Sequence, residues 1–195
     1  MTVQTRPQPV PAGAGPSADL WTAERFMARF ASEPVELVNG VVRQRPMTYP
    51  RHGKLCLTVG FHLMRYLEAN DIGHAMSNDS RIRTTEGPDS VRGPDVCFFH
   101  YDRLPRGEVP GGLLEVVPNL AIEVKSPSDR WSELFAKVAE YLAAGVEAVV
   151  IMDAEGRTVS VYRDAVSQEI LRADEVWTLP EILPGFAVPV ARLFE

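Results

Sequence analysis

Two strongly apolar runs, Leu120-Ala-Ile-Glu-Val-Lys125 and Ala148-Val-Val-Ile-Met152, stand on either side of a stretch with helical periodicity. That order constrains the fold more than any other feature of the chain. Trp131, Leu134, Phe135, Val138, Tyr141 and Leu142 recur on one stripe between Arg130 and Ala144, and Gly145 supplies the stop. The apolar runs have the length of buried strands, and Asp153-Ala-Glu-Gly156 turns the second into a further strand over Thr158 to Tyr162.

The earlier part of the chain supplies compatible elements. Asp19 or Thr22 can cap a short helix carrying Leu20, Phe26, Met27 and Phe30 at helical spacing. Val35 to Val38 and Val41 to Gln44 flank Asn39-Gly40, a pair that tolerates positive φ at both positions and therefore predicts a tight hairpin. Leu55, Val59, His62, Leu63, Tyr66 and Leu67 predict a long packing helix over His52 to Ala69, and Ser80 to Thr85 and Val96 to Phe99 read as strands. With no internal repeat, this order predicts an α/β (α+β) protein: one mixed sheet flanked by helices, with an N-terminal hairpin.

Residues 1–18 are rich in Pro, Ala and Gly and read as a flexible leader; 19–195 read as one domain, and the 45% hydrophobic content of the whole chain is enough to build its core. The leader has no apolar core of signal-peptide type, and no run approaches the length of a membrane span. Cys56 and Cys97 form no CxxC or Cys/His motif, so the expected setting is a reducing cytoplasm without a zinc site. His52, His62, His74 and His100 have no metal-ligand spacing among themselves. No glycine-rich phosphate loop and no Ser/His/Asp pattern is present.

Net charge is -6, which excludes a basic coat over the whole surface. The charge is uneven, however: residues 1–101 hold 11 basic and 10 acidic side chains, and the remainder 9 and 16. Arg43, Arg45, Arg51, Lys54 and Arg65 fall in an acid-free window, followed by Arg81 and Arg83 on one face of a strand. Such a set can meet a phosphate backbone; it can equally be an ordinary arginine-rich surface paired with local acids.

Pro94-Asp95 opens one strand, and Glu123-Val124-Lys125 lies near the end of another. A period of two puts Glu123 and Lys125 on the same face and Val124 on the other. Carboxylates from neighbouring strands make a hard-oxygen site for Mg²⁺ (or Mn²⁺), beside which a lysine can orient or deprotonate water or balance charge on phosphorus. Charged residues inside a buried strand are costly without such a role, although Asp/Glu-x-Lys is by itself a common tripeptide.

The block PNLAIEVKSPSDRWSELFAKVAEYLAAGVEAVVIMD, the upstream VELVNGVVRQRP followed by His52-Gly53, the Gly93-Pro94-Asp95-Val96 step and the closing LPGF resemble the Uma-type putative restriction endonucleases of the PD-(D/E)XK nuclease superfamily. The resemblance spans about residues 20 to 195 and implies a restriction-endonuclease-like core. It also implies Asp95 and Glu123 as metal ligands and Lys125 as the catalytic lysine; members often carry Val or Leu at that last position. Glu36 matches the family's Glu-Leu step and can reach the metal as a third carboxylate, or face outward from the hairpin. His52 is either a positioning group near DNA or a packing histidine. Lys137 and Tyr141 share a helical face, with Lys137 meeting a phosphate or pairing with Glu133 in solvent; Ser128 or Asp129 caps that helix.

The expected function is metal-dependent hydrolysis of DNA by Asp95, Glu123, Lys125 and Glu36. Arg43, Arg45, Arg51, His52, Lys54, Arg81 and Arg83 would face DNA, and a homodimer would present one site per strand. The alternatives are a catalytically silent nuclease-fold module that binds DNA or protein, and a hydrolase of RNA or a small phosphodiester.

Overall fold

In the computed structural model the described residues are 20–45, 49–77, 80–107 and 109–195; the expected leader and Asp19 lie outside them. The chain opens with α1 (Ala23–Phe30), capped by Thr22, whose side chain accepts from the Arg25 N–H. β1 (Val35–Val38) and β2 (Val41–Gln44) form the expected hairpin. At its turn Asn39 and Gly40 have φ of 49° and 73°, and a Cβ on Gly40 would come within 2.7 Å of the Leu20 Cβ, so both conformation and space require glycine there.

After α2 (Pro50–Ala69) come β3 (Gly73–Ser77), β4 (Ile82–Thr85), β5 (Ser90–Arg92), β6 (Val96–His100) and β7 (Leu120–Lys125). The chain continues through α3 (Trp131–Ala143), β8 (Ala148–Asp153), β9 (Thr158–Tyr162), β10 (Gln168–Leu171), β11 (Val176–Leu179), β12 (Leu183–Pro189) and α4 (Val190–Leu193).

The strands form three sheets where one was expected. The largest runs β10-β9-β8-β7-β6-β3, with β7 and β8 parallel and every other neighbour antiparallel. A four-stranded sheet, β2-β1-β5-β4, carries the hairpin and packs Val35, Leu37 and Val91 against Ala23, Phe26 and Phe30 of α1. β11 and β12 make a separate pair. The hairpin thus belongs to its own layer because β1 joins β5 through Leu37 and Val91, a long-range pairing that no local pattern announces.

Both faces of the large sheet are covered, which is why its central strands read as apolar runs. Leu120, Ile122 and Val124 point to the side of α2 and pack with Leu55, Val59 and Leu63. Ala121 points the other way, with Val149 and Ile151, onto Leu134, Val138 and Tyr141 of α3. No helix among the described residues is long and apolar enough to cross a membrane.

Candidate active site

The strand alternation that buries Ile122 and Val124 beneath α2 turns Glu123 toward α3. β6 and β7 are antiparallel with Val96 opposite Ile122, so Asp95 and Glu123 follow next to each other at the end of that pair. Glu36 approaches from the smaller sheet: Leu37 faces α1, and the alternation sends Glu36 inward. All three carboxylates are buried and line one cavity of about 510 Å³, with Arg45, His52 and Lys137 also on its wall. The structure brings Asp95 and Glu123 to one cavity wall, and Glu36 faces inward rather than into solvent.

Each carboxylate has identifiable partners. Asp95 Oδ2 accepts from the Val124 N–H at 2.7 Å and lies 3.2 Å from His52 Nε2, while Arg45 reaches its Oδ1 at 3.4 Å. Glu36 accepts from Arg92 at 2.9 Å and from the Gly93 N–H at 3.4 Å. Tyr141 donates its hydroxyl to Glu123 Oε1 at 3.0 Å. Lys137 Nζ donates to Glu123 Oε2 at 3.1 Å and stands 3.4 Å from Glu36 Oε1, joining the two sheets. Arg92 Nε donates to Glu140 Oε1 at 2.9 Å, so the same guanidinium ties β5 to α3.

These environments separate the carboxyl groups by acidity. Burial pushes Glu123 up to about 7; Lys137 and Arg45 oppose the rise, and Asp95 and Glu36 add to it. Burial also pulls on Glu36 and Asp95, but it is outweighed. Lys137, Arg92 and Arg45 hold Glu36 below the ordinary range, and His52, the Val124 N–H and Arg45 do the same for Asp95. Burial disfavours the charged form of His52, yet its hydrogen bond to Asp95, with Cys56 behind it, raises the imidazole to about 10. Glu123 is thus the carboxylate whose charge is least compensated by its surroundings. Three oxygen-donor side chains gathered on one cavity wall are the kind of donor set that a hard divalent cation takes.

Two residues differ from expectation in a connected way. Lys125 shares the α3 face with Glu123, as the period of two requires, but its Nζ lies 3.9 Å from Asp153 Oδ1 and 5.6 Å from the centre of the Trp131 ring. Asp153 is its register partner on parallel β8, on the side of β7 opposite β6. Lys137, read as a possible solvent pair of Glu133, is instead the ammonium inside the site. The helix that carries it is not capped by Ser128 or Asp129: Arg130 is its N-cap residue, and Asp129 folds back to accept from the Ser126 N–H at 2.7 Å.

The basic residues also divide. Arg43 and Arg45 line the cavity, and Arg51 and Lys54 are exposed on the first turns of α2, where Lys54 reaches the Glu195 carbonyl. Arg81 donates to the carbonyls of Phe30, Glu33 and Val35, closing the C-terminal end of α1. Arg83 is held by Glu24, Glu86 and Glu115. Both arginines thus tie elements together instead of presenting free phosphate donors. Arg92 was missed because a single arginine in a three-residue strand carries no pattern. Cys56 had a weak signal, its separation of four from His52 on a helix: His52, Cys56 and Asp95 offer ligand atoms within 4.8 Å of one another.

A mixed sheet covered on both faces, with Asp95 and Glu123 at the end of its antiparallel β6–β7 pair, is the arrangement that the resemblance to restriction-endonuclease-like cores implies. The Uma2 family, described as "Putative restriction endonuclease", matches residues 24–191, and the chain belongs to that family. A crystal structure described as a putative nuclease belonging to DUF820, from Anabaena variabilis, superposes with a TM-score of 0.78 at 22% identity. The match covers 88% of this chain and 96% of that one. No curated protein matches the chain.

Proposed function

We propose that this protein is a divalent-metal-dependent endonuclease that hydrolyses phosphodiester bonds in DNA. The observation that carries the reading is the convergence of Glu36, Asp95, Glu123 and Lys137 on one cavity, with Lys137 of α3 reaching both Glu123 on β7 and Glu36 on β1. Asp95 and Glu123 would hold Mg²⁺ or Mn²⁺, which supplies Lewis-acid charge and lowers the pKa of a bound water. The residues of the chain do the positioning. Val124 N–H and His52 fix the Asp95 carboxylate, and Tyr141 fixes that of Glu123. Lys137 is the ammonium best placed to balance negative charge growing on phosphorus, the part the resemblance assigns to Lys125. Water adds its hydroxyl to phosphorus as the phosphorus–oxygen ester bond breaks, and its proton leaves with the alcohol.

Arg43, Arg45, Arg51 and Lys54 would then contact the phosphate backbone near the cavity, and two copies of the chain would present one site to each strand. The test is cleavage of supercoiled and linear DNA with Mg²⁺ or Mn²⁺, run beside RNA. Cleavage abolished by Asp95→Asn and by chelation supports the reading; preferential RNA cleavage redirects it.

A silent nuclease-fold module is favoured by one observation. The Glu36, Asp95, Glu123 and Glu140 carboxylates face the cations Arg45, Arg92, Lys137 and His52, a network that can persist as structure alone. DNA left intact with either metal, by both the wild type and Asp95→Asn, would establish that reading.

A further inference from the structure

On the α2 side of Asp95 stands a second group of ligand side chains. His52 and Cys56 are four apart on that helix and so share a face. Cys56 Sγ lies 3.5 Å from His52 Nδ1, and His52 Nε2 lies 3.2 Å from Asp95 Oδ2. One ligand atom from each of the three falls within 4.8 Å of the other two, and no other three His, Cys, Asp or Glu side chains among the described residues gather so tightly. A tetrahedral Zn²⁺ with bonds of about 2.0–2.3 Å keeps its ligand atoms about 3.3–3.8 Å apart. The imidazole meets Cys56 and Asp95 through different nitrogens and ligates through one, so closing the set takes a side-chain shift of about 1 Å.

The donor types distinguish this group from the carboxylates of the cavity. A thiolate and an imidazole beside one carboxylate suit Zn²⁺ and its softer congeners, whereas Mg²⁺ and Mn²⁺ favour the all-oxygen set. Cys56 is half-buried, and His52 and Asp95 line the cavity, so an ion can enter and a water can take the fourth position. Arg45 stands on the Oδ1 side of Asp95, leaving Oδ2 turned to His52 and the Val124 N–H. Uptake of the ion releases the imidazolium proton of His52 and the thiol proton of Cys56 to solvent. Two positive charges leave and two arrive, so burial does not oppose the exchange.

We propose that His52, Cys56 and Asp95 form a site for one Zn²⁺, and that its occupation withdraws Asp95 from the cation held with Glu123. The site is a thiol-dependent brake on cleavage, a consequence that rests on the nuclease reading, whereas the metal site itself does not.

The experiment titrates the metal-free full chain with Cd²⁺ in the absence of DNA, read by the ultraviolet charge-transfer absorption of a cadmium-bound thiolate. The expected result is a band that saturates at one Cd²⁺ per chain and is displaced by Zn²⁺. Cys56→Ser should abolish it, and Cys97→Ala, at the other and fully buried cysteine, should retain it. His52→Ala and, separately, Asp95→Asn should each weaken Cd²⁺ binding at least about tenfold, with circular dichroism spectra unchanged. No band in the wild type at saturating Cd²⁺ overturns the proposal, as does a band that survives Cys56→Ser. Affinity indifferent to both His52→Ala and Asp95→Asn also overturns it, by reducing the band to a single-thiol adduct. In Mg²⁺-dependent DNA cleavage, Zn²⁺ should slow the wild type at least about tenfold and leave Cys56→Ser at that variant's own rate without Zn²⁺. Equal inhibition of both overturns the withdrawal of Asp95. A chain that binds Cd²⁺ as expected but cuts no DNA with any metal upholds the site and fails the nuclease reading alone.

Discussion

The two faces of β7 differ as much as any two regions of the molecule. Toward α2, Leu120, Ile122 and Val124 lie in one apolar cluster, with all three essentially excluded from solvent. Toward α3, the same strand presents Ala121, then Glu123, then Lys125, passing from core to charge within six residues. A strand alternates its side chains, so a single segment can anchor the fold on one side and hold chemistry on the other. The α2 face fixes where the backbone lies; the α3 face uses that fixed backbone to aim Glu123. The cost appears on the second face alone, where a buried carboxylate is held near a pKa of about 7 and needs Tyr141 and Lys137 to orient it.

Substitutions on the two faces should therefore fail differently. The largest effect is expected at Glu123→Gln and at Lys137→Ala, each lowering DNA cleavage by about a thousandfold in a plasmid-nicking time course, with Lys125→Ala changing it several-fold at most. Equal losses at Lys125 and Lys137 would return the catalytic role to β7. Next, Ile122→Ala on the α2 face should destabilise the protein by about 3 kcal/mol in urea unfolding, because it opens a cavity in a packed cluster. Its cleavage rate per folded molecule should stay close to that of the wild type.

A smaller effect, about tenfold in cleavage, is expected for Tyr141→Phe, which keeps the ring but removes the hydrogen bond to Glu123. The same change should also raise the Glu123 pKa, visible as an acid limb of the pH–rate profile displaced upward. The smallest effect concerns His52, the one polar group that α2 contributes to the carboxylates. Its folded pKa of about 10 exceeds its ordinary 6.5, so its stabilisation is complete below pH 6.5 and is lost as pH rises toward 10. Thermal unfolding of the wild type should decline across that window, and His52→Gln should flatten the decline.

Much of this division was legible in the chain. β7 and β9 fall where their apolar and alternating patterns put them, and the Asn39-Gly40 turn predicted its hairpin because few other pairs accept positive φ twice. The facing of Glu123 follows from strand periodicity alone. What was not legible is long-range. β3 and β5 are short, carry no alternating pattern and exist through their partners: β3 through β6, and β5 through β1 and β4. Without β5 there was no second sheet to carry Glu36 into the site, and no Arg92 to hold it there. Lys137 and Tyr141 could be placed on one helical face, but which way that face turns depends on how α3 packs over Ala121 and Val149. The placement of Lys125 beside Asp153 was not legible for a related reason, since it depends on the neighbouring parallel strand.

On the proposed reading, a divalent ion lies on the α3 face of β7, between Glu123 and Asp95, the residue just before β6. A crystal structure of the protein soaked in Mn²⁺ decides this, with anomalous difference density as the readout. The expected peak is coordinated by Asp95 and Glu123, with Lys137 displaced from Glu123 toward Glu36. A peak at His52 and Cys56 without Glu123, or no peak in the cavity at saturating Mn²⁺, would contradict it.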